Sequence, residues 1–359
     1  MPAILRPAPL AGRSGCERIH FGGAGDGAAG RARRPRGRGG YRGRVHPVAR
    51  EWFGRRTSVA ADWPEEVLVA RKGATTVSVV LPALDEELTV GGIVAALVDP
   101  RDRTGLVDEI VVIDSGSADR TGEVAAGAGA EVYHRDEILP AHGSRPGKGE
   151  VLWKSLAVTR GEVVVYVDAD LTSFDRHYVT GLLGPLLTDD SVAMVKAFYD
   201  RPLLDLAAAG GGRVTELMAR PLLNALYPTL AGVVQPLAGE YAARRELLES
   251  LPFAAGYGVE PGLLLDTVAA RGLDAVAQVD LGHRTHGHQD TAALGRMAAE
   301  ILHTVLARVD PARTRWATLT QFHRDHGVIA PHDHTVAWPE RPPMSTIPDY
   351  AARTPRLCG

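Results

Sequence analysis

The run Val163-Val164-Val165-Tyr166-Val167 ends in Asp168-Ala169-Asp170. Residues two apart on an extended strand point the same way, so both carboxylates share one face where the strand stops. Carboxylates are hard oxygen donors that suit Mg²⁺ or Mn²⁺, and such ions commonly bridge substrate phosphates. The pair therefore points to an enzyme that handles a nucleotide diphosphate. An acidic turn facing solvent would have the same three residues, so the motif needs company.

Three other stretches supply it. Arg145-Pro146-Gly147-Lys148-Gly149-Glu150 puts a lysine between two glycines just before an expected helix, where backbone can approach a ligand closely and Lys148 adds a point charge. Gly210-Gly211-Gly212-Arg213-Val214-Thr215 also leads into a helix. Exposed amides there, with Arg213 and Thr215 in the first turn, suit a phosphate or carboxylate. Arg at the positive end of a helix is locally unfavourable, which itself argues for a bound anion. His283, His286 and His288 lie close together after an expected strand. Their spacing matches no familiar zinc motif, and one of them joining Asp170 on a divalent ion is an equal alternative. The G-x-G-x-x-G and P-loop fingerprints are absent, so a phosphate cradle at the first turn is excluded. The turn Asp114-Ser115-Gly116-Ser117-Ala118-Asp119 reads both as a polar lip for a base or ribose and as a helix cap through Ser117 or Asp119.

These residues need a scaffold that gathers strand ends. Strands are expected at 77–82, 109–114, 131–133 and 163–168, with helices at 86–97, 121–128 and 149–158 between them. Continuous apolar strands alternating with helices predict an α/β fold with a mostly parallel sheet covered on both faces. Ligands of such sheets bind beyond the carboxyl ends of the strands, where Pro82, Asp114 and Asp168 fall. The second half reads as helices near 213–226 and 260–270, a strand near 275–281 and a long helix at 291–307.

The 359 residues are 45% hydrophobic and carry a net charge of −3. Residues 1–50 hold eleven Arg, no Lys, one Asp and one Glu, a charge of +9 that leaves about −12 for the rest. With eleven Gly as well, this segment cannot offset its ordering entropy, so residues 1–66 are expected to be a disordered Arg/Gly-rich extension. A basic arm of this kind could touch nucleic acid, but a dispensable extension is the stronger reading, and no nucleic-acid partner is expected. The remaining boundaries are 67–200 for a nucleotide-sugar-binding lobe, 201–330 for an acceptor-binding and helical lobe, and 331–359 for an irregular tail. No apolar stretch is long enough to span a membrane, and Cys16 and Cys358 both lie in the tails; a cytoplasmic protein without a disulfide framework is expected.

The motifs VVLPALDEE, VIDSGSADRT, RPGKGEVLWKSL, VDADL, GGGRVTELMARPLL, QPLAGEYAARRELL and GYGVEPGLLLDT occur together and in order. Over about 77–300 the chain resembles the actinobacterial glucosyl-3-phosphoglycerate synthases, retaining glycosyltransferases of the GT-A fold. The resemblance implies transfer of glucose from UDP-glucose, or another nucleotide-glucose, to 3-phosphoglycerate, with Mg²⁺ (or Mn²⁺) as cofactor, and a pathway leading to methylglucose lipopolysaccharides or glucosylglycerate. It implies a homodimer built on the later helices. Pro82, Ala83, Leu84, Asp85, Glu86 and Ser115 would line the uridine pocket. Lys148, Asp168 and Ala169 would hold the nucleotide, and Tyr257 and Glu260 the glucose. Asp170 and His286 would ligate the metal, and Leu237 would present its carbonyl near the anomeric carbon. Gly212, Arg213, Val214, Thr215 and His288 would grip the acceptor. Two positions depart from the pattern: Ala169 where the family often has Ser, and His288 where a relative has Asn. No nucleophile is evident, so front-face attack is expected. The competing readings are a GT-A enzyme with another acceptor, such as a polyprenyl phosphate, and a non-catalytic sugar-nucleotide-binding protein.

Overall fold

A computed structural model describes residues 45–200, 212–284, 290–314 and 317–352. All of them lie within one compact unit, 44–359. The chain opens with α1 (Pro47–Arg56), β1 (Thr57–Val59) and α2 (Glu65–Lys72). Three β-α units follow: β2 (Val77–Ala83) with α3 (Val90–Asp99), β3 (Glu109–Asp114) with α4 (Thr121–Gly127), and β4 (Glu131–His134) with α5 (Lys148–Ser155). Next come β5 (Val163–Tyr166), α6 (His177–Thr188), β6 (Met194–Asp200) and α7 (Arg220–Leu226). The remainder holds β7 (Tyr241–Arg244), α8 (Arg245–Ser250), α9 (Val259–Arg271), β8 (Val276–His283) and α10 (Thr291–Val309). A hairpin, β9 (Thr318–Asp325) and β10 (Val328–Thr335), precedes the short α11 (Pro348–Ala351).

Eight strands form one sheet in the order β1-β8-β6-β7-β5-β2-β3-β4. Every pairing is parallel except those of β7, which runs antiparallel between β5 and β6. The period-two rule sorts the strand residues onto two buried faces. Val79, Leu81, Val163 and Val165 enter one apolar cluster, and Val80, Val111, Val164 and Tyr166 the other. This explains why β2, β3 and β5 read as unbroken apolar runs: both of their faces are covered.

The strands at 77–82, 109–114 and 131–133 and the helices following them stand close to where the sequence places them. The helix expected from Glu86 begins only at Val90. Its first residues are instead tied sideways: Glu86 N donates to Thr121 Oγ1 (2.7 Å), and Thr89 Oγ1 to the Ala169 carbonyl (2.6 Å).

Two boundary expectations are corrected. Residues 45–66, placed in the disordered extension, fold. Trp52 of α1 is fully buried and its indole donates to the Leu273 and Val276 carbonyls (3.0 and 2.9 Å), while β1 pairs with β8. Burial of that indole outweighs the local arginine content that masked the helix. Residues 331–335, placed in the irregular tail, complete β10 through its antiparallel ladder with β9. Residues 1–44 lie outside the described residues, as do Cys16 and Cys358.

After the hairpin the chain straps back across the molecule. Phe253 and Arg341 exchange backbone hydrogen bonds. Arg341 forks onto both oxygens of the buried Glu150 (2.7 Å each), donates to the His142 and Gly143 carbonyls, and stacks over Trp153. The strap thus braces the loop that leads into Lys148. Replacing one partner of a buried, bidentate ion pair typically costs about 3–5 kcal/mol. Arg341→Met should cost about that much, near the low end because Lys154 lies 3.6 Å from Glu150. The check is a lowered urea midpoint with an unchanged slope.

Candidate active site

Parallel strands all finish at one edge of the sheet. Because β7 is antiparallel, it starts at that edge, with Tyr166 opposite Tyr241. The topology therefore gathers 83–87, 114–121, 167–170, 237–240 and 283–284 around one crevice. This is where open α/β sheets bind ligands.

The first two segments are zipped together. Asp85 adopts a left-handed backbone (φ 58°), and its carboxylate accepts from Ala118 N at 2.7 Å. Asp85 N donates to Ser117 Oγ, and Glu87 N to Asp119 Oδ2. Ser115 N reaches the Ala83 carbonyl (2.9 Å). Asp114 Oδ1 accepts from Gly116 N, Ser117 N and the Ser117 hydroxyl. Asp119 accepts from Thr121 N as well, so the acid closes the turn before α4 while Ser117 serves the opposite loop. Pro82, Ala83, Leu84, Asp85, Glu86 and Ser115 are thus brought to one lip, with Leu84 half exposed. Burial and the negative charge of Asp170 raise the Glu86 carboxyl above its usual range, against a hydrogen bond from Thr89.

At the crevice floor, Lys148 occupies the first turn of α5, entered through Gly147 at φ 99°. A Cβ at Gly149 would lie 1.8 Å from the Ala254 carbonyl oxygen, so only glycine permits this docking of the lysine loop. Lys148 Nζ binds Asp168 Oδ1 and lies 2.9 Å from Glu260 Oε1. Burial works against its charge, but Asp168 and Glu260 outweigh it and hold its pKa above the ordinary lysine value.

The other half of the network is built from residues that are not among those expected from the sequence. Arg284, 4% exposed, sends Nη2 to Asp168 Oδ2 (3.0 Å) and Asp170 Oδ1 (2.9 Å). Its Nη1 meets the Tyr199 hydroxyl (2.7 Å) and lies 3.4 Å from Glu240 Oε1. Tyr199 in turn donates to Glu240 Oε2 at 2.6 Å. Glu240 is fully buried; desolvation raises its pKa, and Arg284 pulls it back. Burial works against the Arg284 charge, yet Glu240, Tyr199, Asp168 and Asp170 raise its pKa well above the ordinary arginine value. Nothing local in the sequence marks these residues. Arg284 sits inside a histidine-rich stretch, and Glu240 inside the turn before β7.

Two carboxylates converge on one positively charged nitrogen, which is the donor set that a divalent cation uses. Among the described residues no group of three His, Cys, Asp or Glu is disposed to hold a metal. The expected second ligand, His286, lies outside the described residues, as do His288, Gly210 and Gly211. His283 is exposed, its Nε2 3.9 Å from Asp200.

Elsewhere, Glu260 is 6% exposed in the first turn of α9, and Tyr257 is 40% exposed on the loop before it. Gly212, Arg213, Val214 and Thr215 open the helical segment before α7. Arg213 is exposed and Thr215 buried. Val214 is packed in a cluster with Trp52, Leu223 and Ile301. Its side chain is therefore core, which leaves its backbone to serve an acceptor. Leu237 packs at the border of the same cluster.

Residues 78–209 match the family model described as Glycosyl transferase family 2. A relative from Mycolicibacterium paratuberculosis, named glucosyl-3-phosphoglycerate synthase, is 49% identical, with the match covering 82% of this chain and 92% of its own. The chain belongs to this family. A like-named relative from Petrotoga mobilis is 42% identical over 80% of this chain and 91% of its own. The crystal structure of the Mycobacterium tuberculosis enzyme with Mn²⁺, UDP and phosphoglyceric acid is similar at TM-score 0.73 and 48% identity, covering 79% of this chain and 95% of that one. The GT-A-type α/β architecture expected from the sequence is therefore the observed one.

Gly239 offers a direct probe. A Cβ there would come within 2.5 Å of the Asp168 carboxylate and the Lys148 ammonium, which are side-chain ends that can shift. Gly239→Ala should displace that pair at small cost to stability. The expected outcome is a UDP affinity weakened about tenfold, one charge-assisted contact's worth, with the melting temperature nearly unchanged. Titration calorimetry and thermal melts read the two.

Proposed function

We propose that this protein transfers glucose from UDP-glucose to 3-phosphoglycerate, giving glucosyl-3-phosphoglycerate. The observation that carries the reading is the ion network at the sheet edge. Lys148 joins Asp168 to Glu260, and Arg284 joins Asp168 to Asp170, in a crevice shared with the 83–87 lip. A relative of this family has been crystallised with Mn²⁺, UDP-glucose and phosphoglyceric acid, and another form with Mg²⁺ and UDP.

Each residue then has a task. The 82–86 lip and Ser115 take the uridine. Lys148, Asp168 and the Ala169 segment hold the ribose and diphosphate. Glu260 and Tyr257 meet glucose hydroxyls, and Leu237 offers its carbonyl beside the anomeric carbon. Asp170 and His286 would hold the divalent cation, which when bound supplies Lewis-acid stabilisation of the departing diphosphate. Gly212, Arg213, the Val214 backbone, Thr215 and His288 take the acceptor's phosphate and carboxylate; Arg213 suits both because its planar fork matches either anion.

We assign retention at the sugar carbon, by front-face attack. Glu260 is ion-paired with Lys148, while Asp168, Asp170 and Glu240 are engaged by Arg284, so these four acids are committed to cations rather than free as nucleophiles. Lys148 and Arg284 place fixed positive charge where the leaving diphosphate gathers negative charge. The 67–200 segment serves as the nucleotide-sugar lobe and 201–330 as the acceptor lobe, though β7 and β8 of the latter enter the common sheet. We place the protein in the cytoplasm as a homodimer that uses the later helices. Among the described residues no helix is long and apolar enough to cross a membrane, and exposed Leu302 and Val309 on α10 are available for a partner.

Incubation with UDP-glucose, Mg²⁺ and 3-phosphoglycerate should release UDP only when the acceptor is present. Asp170→Ala should reduce that turnover by at least about a hundredfold, the scale of losing one main electrostatic stabiliser, with the fold intact by circular dichroism. UDP release on a polyprenyl phosphate instead, or binding without turnover, would replace this reading with one of its rivals. Arg213→Ala should raise the KM for 3-phosphoglycerate about tenfold or more, the weight of a charged hydrogen bond, and leave the KM for UDP-glucose near its original value. Steady-state kinetics with each substrate varied separates these effects.

A further inference from the structure

Lys196 is a buried cation with no assigned task. It lies on β6, 2% exposed, opposite Tyr241 of β7. Among the described residues it has no ion-pair partner. Its ammonium donates to the Ala238 carbonyl at 2.5 Å and sits 4.8 Å above the Tyr241 ring. Burying a charge without a partner is costly, and chains normally avoid it. An apolar residue would fill a position on a fully covered strand at less cost.

The hydrogen bond ties the lysine to the 235–240 segment. Ala238 lies between Leu237, whose carbonyl is assigned to the anomeric carbon, and Gly239, whose backbone packs on the Asp168–Lys148 pair. β6 holds this turn at several points. Gln235 Nε2 donates to the Tyr199 carbonyl (2.5 Å), Ala197 N to the Glu240 carbonyl (3.0 Å), and the Tyr199 hydroxyl to the Glu240 carboxylate. Those contacts fix the two ends of the 235–240 segment. Only Lys196 reaches its middle among these contacts.

We propose that Lys196 is a positioning residue for glucosyl transfer: it pins the Ala238 carbonyl and so sets the Leu237–Gly239 turn against the reacting sugar. This rests on the glucosyltransferase reading above. Burial pushes the lysine pKa down to about 8, with Glu260, Glu240 and Asp168 opposing the fall and Lys148 adding to it. In its protonated form the lysine makes this hydrogen bond a charge-assisted one. The reacting atoms tolerate little misplacement; a shift near 1 Å can cost about a hundredfold in rate.

The test compares wild type, Lys196→Met and Lys196→Arg with UDP-glucose, Mg²⁺ and 3-phosphoglycerate, at a temperature where all are folded by circular dichroism. The expected result is a kcat lowered about 10- to 100-fold in the Met variant. Both KM values and the UDP affinity should stay within about threefold, and the Arg variant should recover part of the loss, because it restores a charged donor. A Met variant that does not fold is replaced by Lys196→Gln, which keeps a donor on a shorter stem. A kcat within about twofold of wild type, or KM values that rise while kcat holds, overturns the role of Lys196 alone. A wild-type protein with no turnover overturns the glucosyltransferase reading, and this role with it.

Discussion

Two cations hold four acids and a tyrosine at the sheet edge, and the rest of the crevice is arranged around them. Lys148 joins Asp168 to Glu260, while Arg284 joins Asp168 to Asp170 and Glu240 and meets Tyr199. Asp168 takes one cation on each oxygen and is the hinge of the network. Buried ion pairs of this kind add little stability over apolar packing, because desolvation consumes most of the Coulombic gain. Their value is geometric: each carboxylate is held in one orientation before any substrate arrives. That is the condition for electrostatic catalysis, in which charges must be in place where the transition state develops its own.

The scaffold satisfies this condition by bracing the cations from behind. Lys148 stands on a loop whose glycines dock against the 254–256 backbone, and the same loop is clamped by Arg341 through Glu150. Arg284 follows directly on β8, whose pairing with β6 and β1 fixes its exit. Between the two, the antiparallel β7 delivers Glu240 and Gly239 to the edge where its parallel neighbours end. Reversing that single strand would carry both to the opposite side of the sheet. A strand of wrong direction in an otherwise parallel sheet is thus the means by which a distant acid reaches the site.

How legible this was varied by element. The β2, β3 and β5 runs declare themselves because both faces are buried and every residue must be apolar. β7 does not: Tyr241-Ala242-Ala243-Arg244 has little strand propensity, and only its insertion between β5 and β6 makes it a strand. β6 carried a signal, the apolar Met194-Val195 and Phe198-Tyr199 flanking Lys196, that the lysine obscured. α1 was hidden by arginines on its exposed side, though Trp52 was there to be weighed. Among site residues, Asp168, Asp170 and Lys148 stand in recognisable local patterns. Glu240, Tyr199 and Arg284 have no local pattern at all, since what makes them a site is their mutual approach.

The sequence alone determined the α/β class, the strand ends that carry the acids, the glycine-flanked lysine and, through its long ordered motifs, the family. Those are local properties: periodicity, turn chemistry and spacing within a few residues. Only the tertiary structure decided which cation meets which acid. Arg284 reaches Asp168 across more than a hundred residues, and Lys196 reaches Ala238 across more than forty. Such pairings are set by strand order and direction in the folded sheet, and no short window of sequence contains that information.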